Sequence, residues 1–202
     1  MNEKFFALPE EKQEAMLNAG FRVFSQNSYR KSPMREIAEA AGISKALLFH
    51  YFRNKKELYL FLWETGTKVT LEELERSGCY YQKDLFETMY QGMEAKFRIM
   101  RRYPDLGNFV VKAFYERDPD VCPEIQKSIE KLGAFRAQAR LLNLDPELFV
   151  PGLDLEMMYW DMYWASEGFI WEKLQRGEMD VDQLEQDFMK LIDFWKSIYL
   201  RK

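Results

Sequence analysis

The 202-residue chain is predicted to be all-α. Apolar residues recur at spacings of three and four along nearly its whole length, no segment sustains an alternation of β-branched residues, and no Asn-Gly or Asp-Gly pair offers a hairpin turn. At 47% hydrophobic and 16% aromatic the chain has ample material for a core, so disorder is not expected.

Pro9 followed by Glu10 and Glu11 suits the opening turn of a first helix, whose apolar face is Met16, Ala19, Gly20, Val23 and Phe24 and whose end falls near Asn27. Ser32 before Pro33 reads as the N-cap of a second helix, with Glu36 placed to complete a capping box. Met34, Ile37, Ala38 and Ala41 form its inward face. Gly42 supplies a sharp turn, because a helix ending in a left-handed residue does so most easily at glycine. Ser44 then caps a third helix in which Leu48 and Phe52 point inward, leaving Lys45, Ala46, Phe49 and His50 outward. Asn54 caps a fourth helix. Its first turn holds Lys55 and Lys56, a placement unfavourable for the helix dipole that a nearby phosphate would explain.

Longer amphipathic helices follow at 55–76, 83–102, 105–117, 123–142, 154–176 and 181–200, about nine helices in all. Gly78, Pro104, the Asp118-Pro119 pair, the 143–152 loop and Gly177 separate them. No internal repeat or low-complexity linker interrupts the chain. The fourth helix is therefore expected to join an N-terminal module, residues 1–54, directly to a larger helical domain, residues 55–202.

Charge divides along the same line. Residues 22–56 hold eight basic side chains against Glu36 and Glu39, a net +6, which leaves −10 on the remainder of a chain whose net charge is −4. A basic module on an acidic protein suits phosphate binding at one end and a different task at the other. Cys79 and Cys122 stand alone and His50 is the single histidine, which excludes a zinc motif or a His-rich metal site. No paired carboxylates, Gly-rich phosphate loop or nucleophile motif occurs at a usable spacing, so neither catalysis nor a cofactor is expected. Charges cut every apolar run short of the roughly 18 residues a membrane span needs, and MNEKFFALPEEKQEAM has no apolar signal region. The expected location is the cytoplasm.

The stretch SPMREIAEAAGISKALLFHYFRNKK, Ser32 to Lys56, thus holds two short helices, a tight turn and the start of a third, the layout of a DNA-binding helix-turn-helix. Met34 to Tyr59 resembles the DNA-binding domain of the TetR family of bacterial transcriptional regulators. The shared features are the Ile37-Ala38 pair, the Gly42-Ile43-Ser44 turn, Lys45, and the aromatic-His50-Tyr51-Phe52 run before a Lys-rich helix start. Ala46 stands where glycine is frequent and Leu47 where a small polar residue is frequent; both departures bear on base preference rather than fold.

The resemblance implies that residues 45–51 form a recognition helix in the major groove of an operator. Lys45 can reach guanine O6 and N7 or a phosphate, and Ala46, Leu47 and Phe49 can meet thymine methyls. His50, Tyr51 and Lys55 are expected at phosphates, with Ser32 and Ser44 adding hydrogen bonds from two helix N-termini. Helices 154–176 and 181–200 would form a four-helix homodimer interface, which suits their composition. Val181, Leu184, Phe188, Leu191, Ile192, Trp195 and Ile198 make one stripe, and Met157, Trp160, Trp164, Phe169 and Trp171 leave the other helix apolar on most sides.

A small-molecule effector is expected between the modules. Met89, Met93 and Phe97 share a stripe and Phe109, Phe114 and Tyr115 follow it, although such stripes are most often plain core. Asp161, beside Trp160 and Trp164, would balance a cationic ligand; alternatively Asp161 and Glu167 pair with Arg or Lys across the dimer. The expected protein is a ligand-responsive regulator, a repressor released from a palindromic operator by an apolar or cationic molecule. The alternative is an all-α small-molecule-binding protein or enzyme without DNA binding.

Overall fold

The computed structural model describes residues 3–139, 144–176 and 180–201. It is all-α, as expected. The helices are α1 (Glu3–Phe6), α2 (Glu10–Gln26), α3 (Met34–Ala40), α4 (Lys45–Tyr51), α5 (Lys55–Ser77), α6 (Leu85–Arg102), α7 (Leu106–Phe114), α8 (Cys122–Ala139), α9 (Leu155–Arg176) and α10 (Val181–Tyr199), with short 3-10 turns at Cys79–Tyr81 and Pro146–Leu148. Among the described residues the extended pairing is one antiparallel bridge, Phe149 with Leu200. No helix among them is long and apolar enough to cross a membrane, and no group of three His, Cys, Asp or Glu side chains is placed to hold a metal ion.

Two compact units share the chain. The first is Met1–Val69 with Arg102–Gly133, the second Thr70–Arg101 with Ala134–Lys202, so the divisions fall inside α5, α6 and α8.

In the first unit the predicted face of α2 is buried, and Gly20 lets α5 approach so closely that an added Cβ would lie 2.6 Å from Leu62 Cδ1. Phe24 and Phe109 each meet the Tyr59 ring, at 4.8 and 5.2 Å between centroids, which ties α2 and α7 to α5. Helix α1 was not anticipated. It drives Phe5 into the core, 5.5 Å from Phe52 and 5.1 Å from Phe61. The second unit is stitched by Arg98 to Glu73 (2.6 Å), Lys96 to Glu167 (2.7 Å) and Arg101 to Asp182 (2.7 Å). Buried Met158, Met162 and Ile170 on α9 and Leu184, Phe188, Ile192 and Trp195 on α10 supply apolar cover.

The structure corrects three local expectations. Ser32 is not an N-cap: Pro33 holds that position without a side-chain hydrogen bond, and no capping box forms with Glu36. The helix expected over 105–117 ends at Phe114, and the segment that follows is held by Glu116 Oε1 accepting the Asp118 N–H and Asp118 Oδ1 accepting the Asp120 N–H. Glu167, an acid inside an apolar helix, pairs with Lys96 of its own chain. The predicted helix end at 140–142 and the breaker Gly177 lie outside the described residues.

Candidate nucleic-acid interface

Helix α3 closes with the Ile43 N–H donating to the Ala38 carbonyl at 3.0 Å, while Gly42 takes φ +67°. That conformation turns the chain without the steric cost any other residue would meet there. Ser44 then caps α4, its Oγ accepting the Leu47 N–H at 3.1 Å. Leu48 and Phe52, fully buried as predicted, seat α4 in the core. With that face fixed, the helical repeat forces Lys45, Ala46, Leu47, Phe49 and His50 to the surface and leaves Tyr51 half-buried.

The exposed face is cationic at one end and apolar beyond. Leu47 and Phe49 are each 39% exposed, Lys45 Nζ lies 5.8 Å from the Phe49 ring centroid, and α4 carries no acid. A surface of this kind can reach into a groove where phosphate is the dominant charge and thymine methyls the apolar features.

The lysines that open α5 have partners invisible to local sequence. Lys55 Nζ donates to the Arg30 carbonyl at 3.0 Å and sits 4.7 Å above the Tyr29 ring centroid, and Lys56 pairs with Glu124 at 2.6 Å. These contacts account for cations at a helix N-terminus without a phosphate. The predicted cap is present, since Asn54 Oδ1 accepts the Glu57 N–H at 2.8 Å. Ser32 departs furthest from its expected role. It has no exposed surface and its hydroxyl donates to the Ser28 carbonyl at 2.9 Å, so the side chain holds the α2–α3 loop together from inside and is not available to a phosphate.

The same loop is gripped by acids that sequence reasoning passed over. Glu116 Oε2 accepts the Tyr29 N–H at 3.0 Å, and Asp118 Oδ2 meets Arg30 Nε at 3.1 Å. The Tyr29 phenol is pushed up by burial first and then by the charges of Asp120, Asp118 and Glu116. The run Glu116, Asp118, Asp120, Glu124 was the available signal, but nothing in it names its basic partners.

The expected effector residues divide between the units. Phe109 is buried in the first, whereas Phe114 and Tyr115 are exposed on it with their ring centroids 5.0 Å apart. In the second unit Met93 and Phe97 are buried and Met89 half-buried. Trp160 and Trp164 stack at 5.6 Å, and Asp161 is exposed with the Tyr199 hydroxyl donating to it at 3.3 Å. Trp63, which no pattern singled out, buries its indole N–H without an acceptor.

Residues 16–61 match the family model described as bacterial regulatory proteins, tetR family. The HTH-type transcriptional regulator RutR of Escherichia coli K12 is 24% identical over 123 residues, 60% of this chain and 56% of that protein, so the chain spans little more than half the length of that curated relative. Among solved structures, a TetR family regulator from Chloroflexus aurantiacus superposes with a TM-score of 0.64 at 22% identity, covering 99% of this chain and 98% of that one. The ketosteroid transcriptional regulator KstR2 of Mycobacterium tuberculosis gives a TM-score of 0.67 at 16% identity, covering 96% and 97%. At these identities the structures speak for the fold, and the sequence match speaks for the helix-turn-helix. Residues 16–61 thus carry the helix-turn-helix of the tetR family of bacterial regulatory proteins, formed here by α3 and α4, within a chain whose all-α fold is like that of solved TetR family regulators.

Proposed function

We propose that the protein is a ligand-responsive repressor that binds a palindromic operator as a homodimer. The observation that carries this reading is α4 itself, a short capped helix anchored by Leu48 and Phe52 that offers Lys45, Ala46, Leu47, Phe49 and His50 to solvent. Tyr51, Ser44 and Lys55 flank that surface and complete the contact set. Residues 1–54 would supply this reading function and residues 55–202 the response to ligand.

Support for the dimer comes from α9 and α10. Met157, Trp164 and Trp171 recur every seven residues on the exposed side of α9, and Phe194 and Ile198 are exposed on α10. Large side chains left in water on two adjacent helices suit a self-complementary contact. Met89, Met93 and Phe97 on α6 are the lining we assign to an apolar effector, with Trp160 and Asp161 suited to a cationic one. Effector binding would release DNA by favouring a dimer whose recognition helices no longer match major grooves about 34 Å apart, which requires unequal affinity for the two states.

Selection of bound sequences from random DNA, repeated with apolar and cationic compounds present, tests the whole reading. A palindromic consensus is expected, with binding that weakens steeply with salt and is lost in the Lys45→Ala, Tyr51→Ala double variant. No sequence-preferring binding at low salt would overturn it.

A further inference from the structure

Two of the basic side chains beside the helix-turn-helix are already neutralised within the first unit. Arg30, 77% exposed, lies on Asp118, which is only 7% exposed and is further fixed by accepting the Asp120 N–H at 3.0 Å. Lys56 meets Glu124 at 2.6 Å in a pair of which both members remain about half accessible, at 43% and 46%. Lys55 differs: its nearest partners are the neutral Arg30 carbonyl and the Tyr29 ring, so its charge is not cancelled. The acids come from one short segment between α7 and α8 and the first turn of α8, held against the α2–α3 loop by Glu116, which accepts the Tyr29 N–H at 3.0 Å.

We propose that this acidic segment is autoinhibitory, with Asp118 and Glu124 occupying Arg30 and Lys56 in the free protein as substitutes for DNA phosphates. Arg30 precedes α3 by a few residues and Lys56 adjoins Lys55, so both cations border the basic surface assigned to the operator. A phosphate reaching either one meets a carboxylate of like charge. The pair must open, or the phosphate is held more weakly, and a counterion is taken up on the freed carboxylate while others leave the DNA. Both effects lower affinity and flatten the salt dependence. The inference rests on the DNA-binding reading of α3 and α4.

The test uses the full chain and the DNA sequence selected by the wild type. Glu124→Gln, Asp118→Asn and the double variant are titrated across a range of KCl concentrations, with thermal melting as the control for folding. Each substitution is expected to tighten binding roughly two- to fivefold, the range that exposed ion pairs span, and to steepen the log–log salt slope by up to about 0.9. The gain from Glu124→Gln should vanish in a Lys56→Gln background, and that from Asp118→Asn in Arg30→Gln. Unchanged or weaker binding with a wild-type melting temperature overturns the proposal and leaves the segment a brace. If Asp118→Asn unfolds the unit, Glu124→Gln alone decides. Failure of the wild type to bind any DNA sinks the operator reading as well, whereas wild-type binding without tightening sinks only this inference.

Discussion

Gly20 shows how little room one residue leaves. An alanine there would gain about 1 kcal/mol of helix propensity, but its methyl would lie 2.6 Å from Leu62 Cδ1 in the contact between α2 and α5. Overpacking of this kind costs about 1–3 kcal/mol, so Gly20→Ala is expected to lower the urea midpoint. A midpoint at or above wild type would show that Leu62 swings aside freely. Other residues were legible because their roles are local. The Ser44 cap is read within three residues, and the burial of Leu48 and Phe52 follows from a spacing of four. Ser32 was misread for the same reason. Ser-Pro before an apolar run is a good cap pattern, yet the hydroxyl donates to the Ser28 carbonyl and α3 has no side-chain cap. Lys55 and Lys56 were placed correctly, but the Arg30 carbonyl and Glu124 that hold them are distant in sequence and leave no periodic trace.

Among elements, α9 and α10 were the most legible and α1 the least. Four residues cannot display a helical period, so no pattern marked Phe5 as core, yet it is among the largest fully buried side chains. Along α9 the pattern revealed apolar residues on several faces, and the structure sorts them: Met158, Met162 and Ile170 inward, Met157, Trp164 and Trp171 outward. Helix α7 shows the limit of such reasoning, because periodicity tells which residues share a face and not what that face meets. Phe114 and Tyr115, aromatic and at the C-terminal end of that helix, are exposed in the single chain. If the outward face of α9 is the dimer contact, Trp164→Glu, at a site 59% exposed in the single chain, will leave the fold intact. Sedimentation should then show a monomer and operator affinity should fall at least tenfold. A variant that still sediments as the wild-type species would exclude this face.

At the scale of the whole molecule, the phenols of the first unit set an alkaline limit. Burial pushes Tyr59 well above its ordinary 10.0, ahead of the smaller effects of Glu116 and Tyr29, and burial likewise leads the upward shifts of Tyr29 and Tyr103. The unfolded chain therefore releases these protons at a lower pH than the folded one. Stability owed to the neutral phenols is complete below pH 10 and falls as the pH rises above it. Circular dichroism against pH should show unfolding on the alkaline side, with its midpoint moved upward in Tyr59→Phe. An identical midpoint in that variant would mean that other groups govern the transition.

The discontinuity of the first unit carries a consequence for exchange between relatives. The stretch that matches the family ends at residue 61, but Phe21 and Phe24 at the base of the reading head are completed by Phe109 and Tyr103, and Phe5 enters from before the match begins. A graft of residues 16–61 onto another member's body would arrive with open seams at both ends. A graft that keeps this compact unit whole would carry residues 1–69 together with 102–133. Recombination that respects only the linear boundary would produce heads that know their DNA and cannot stand up.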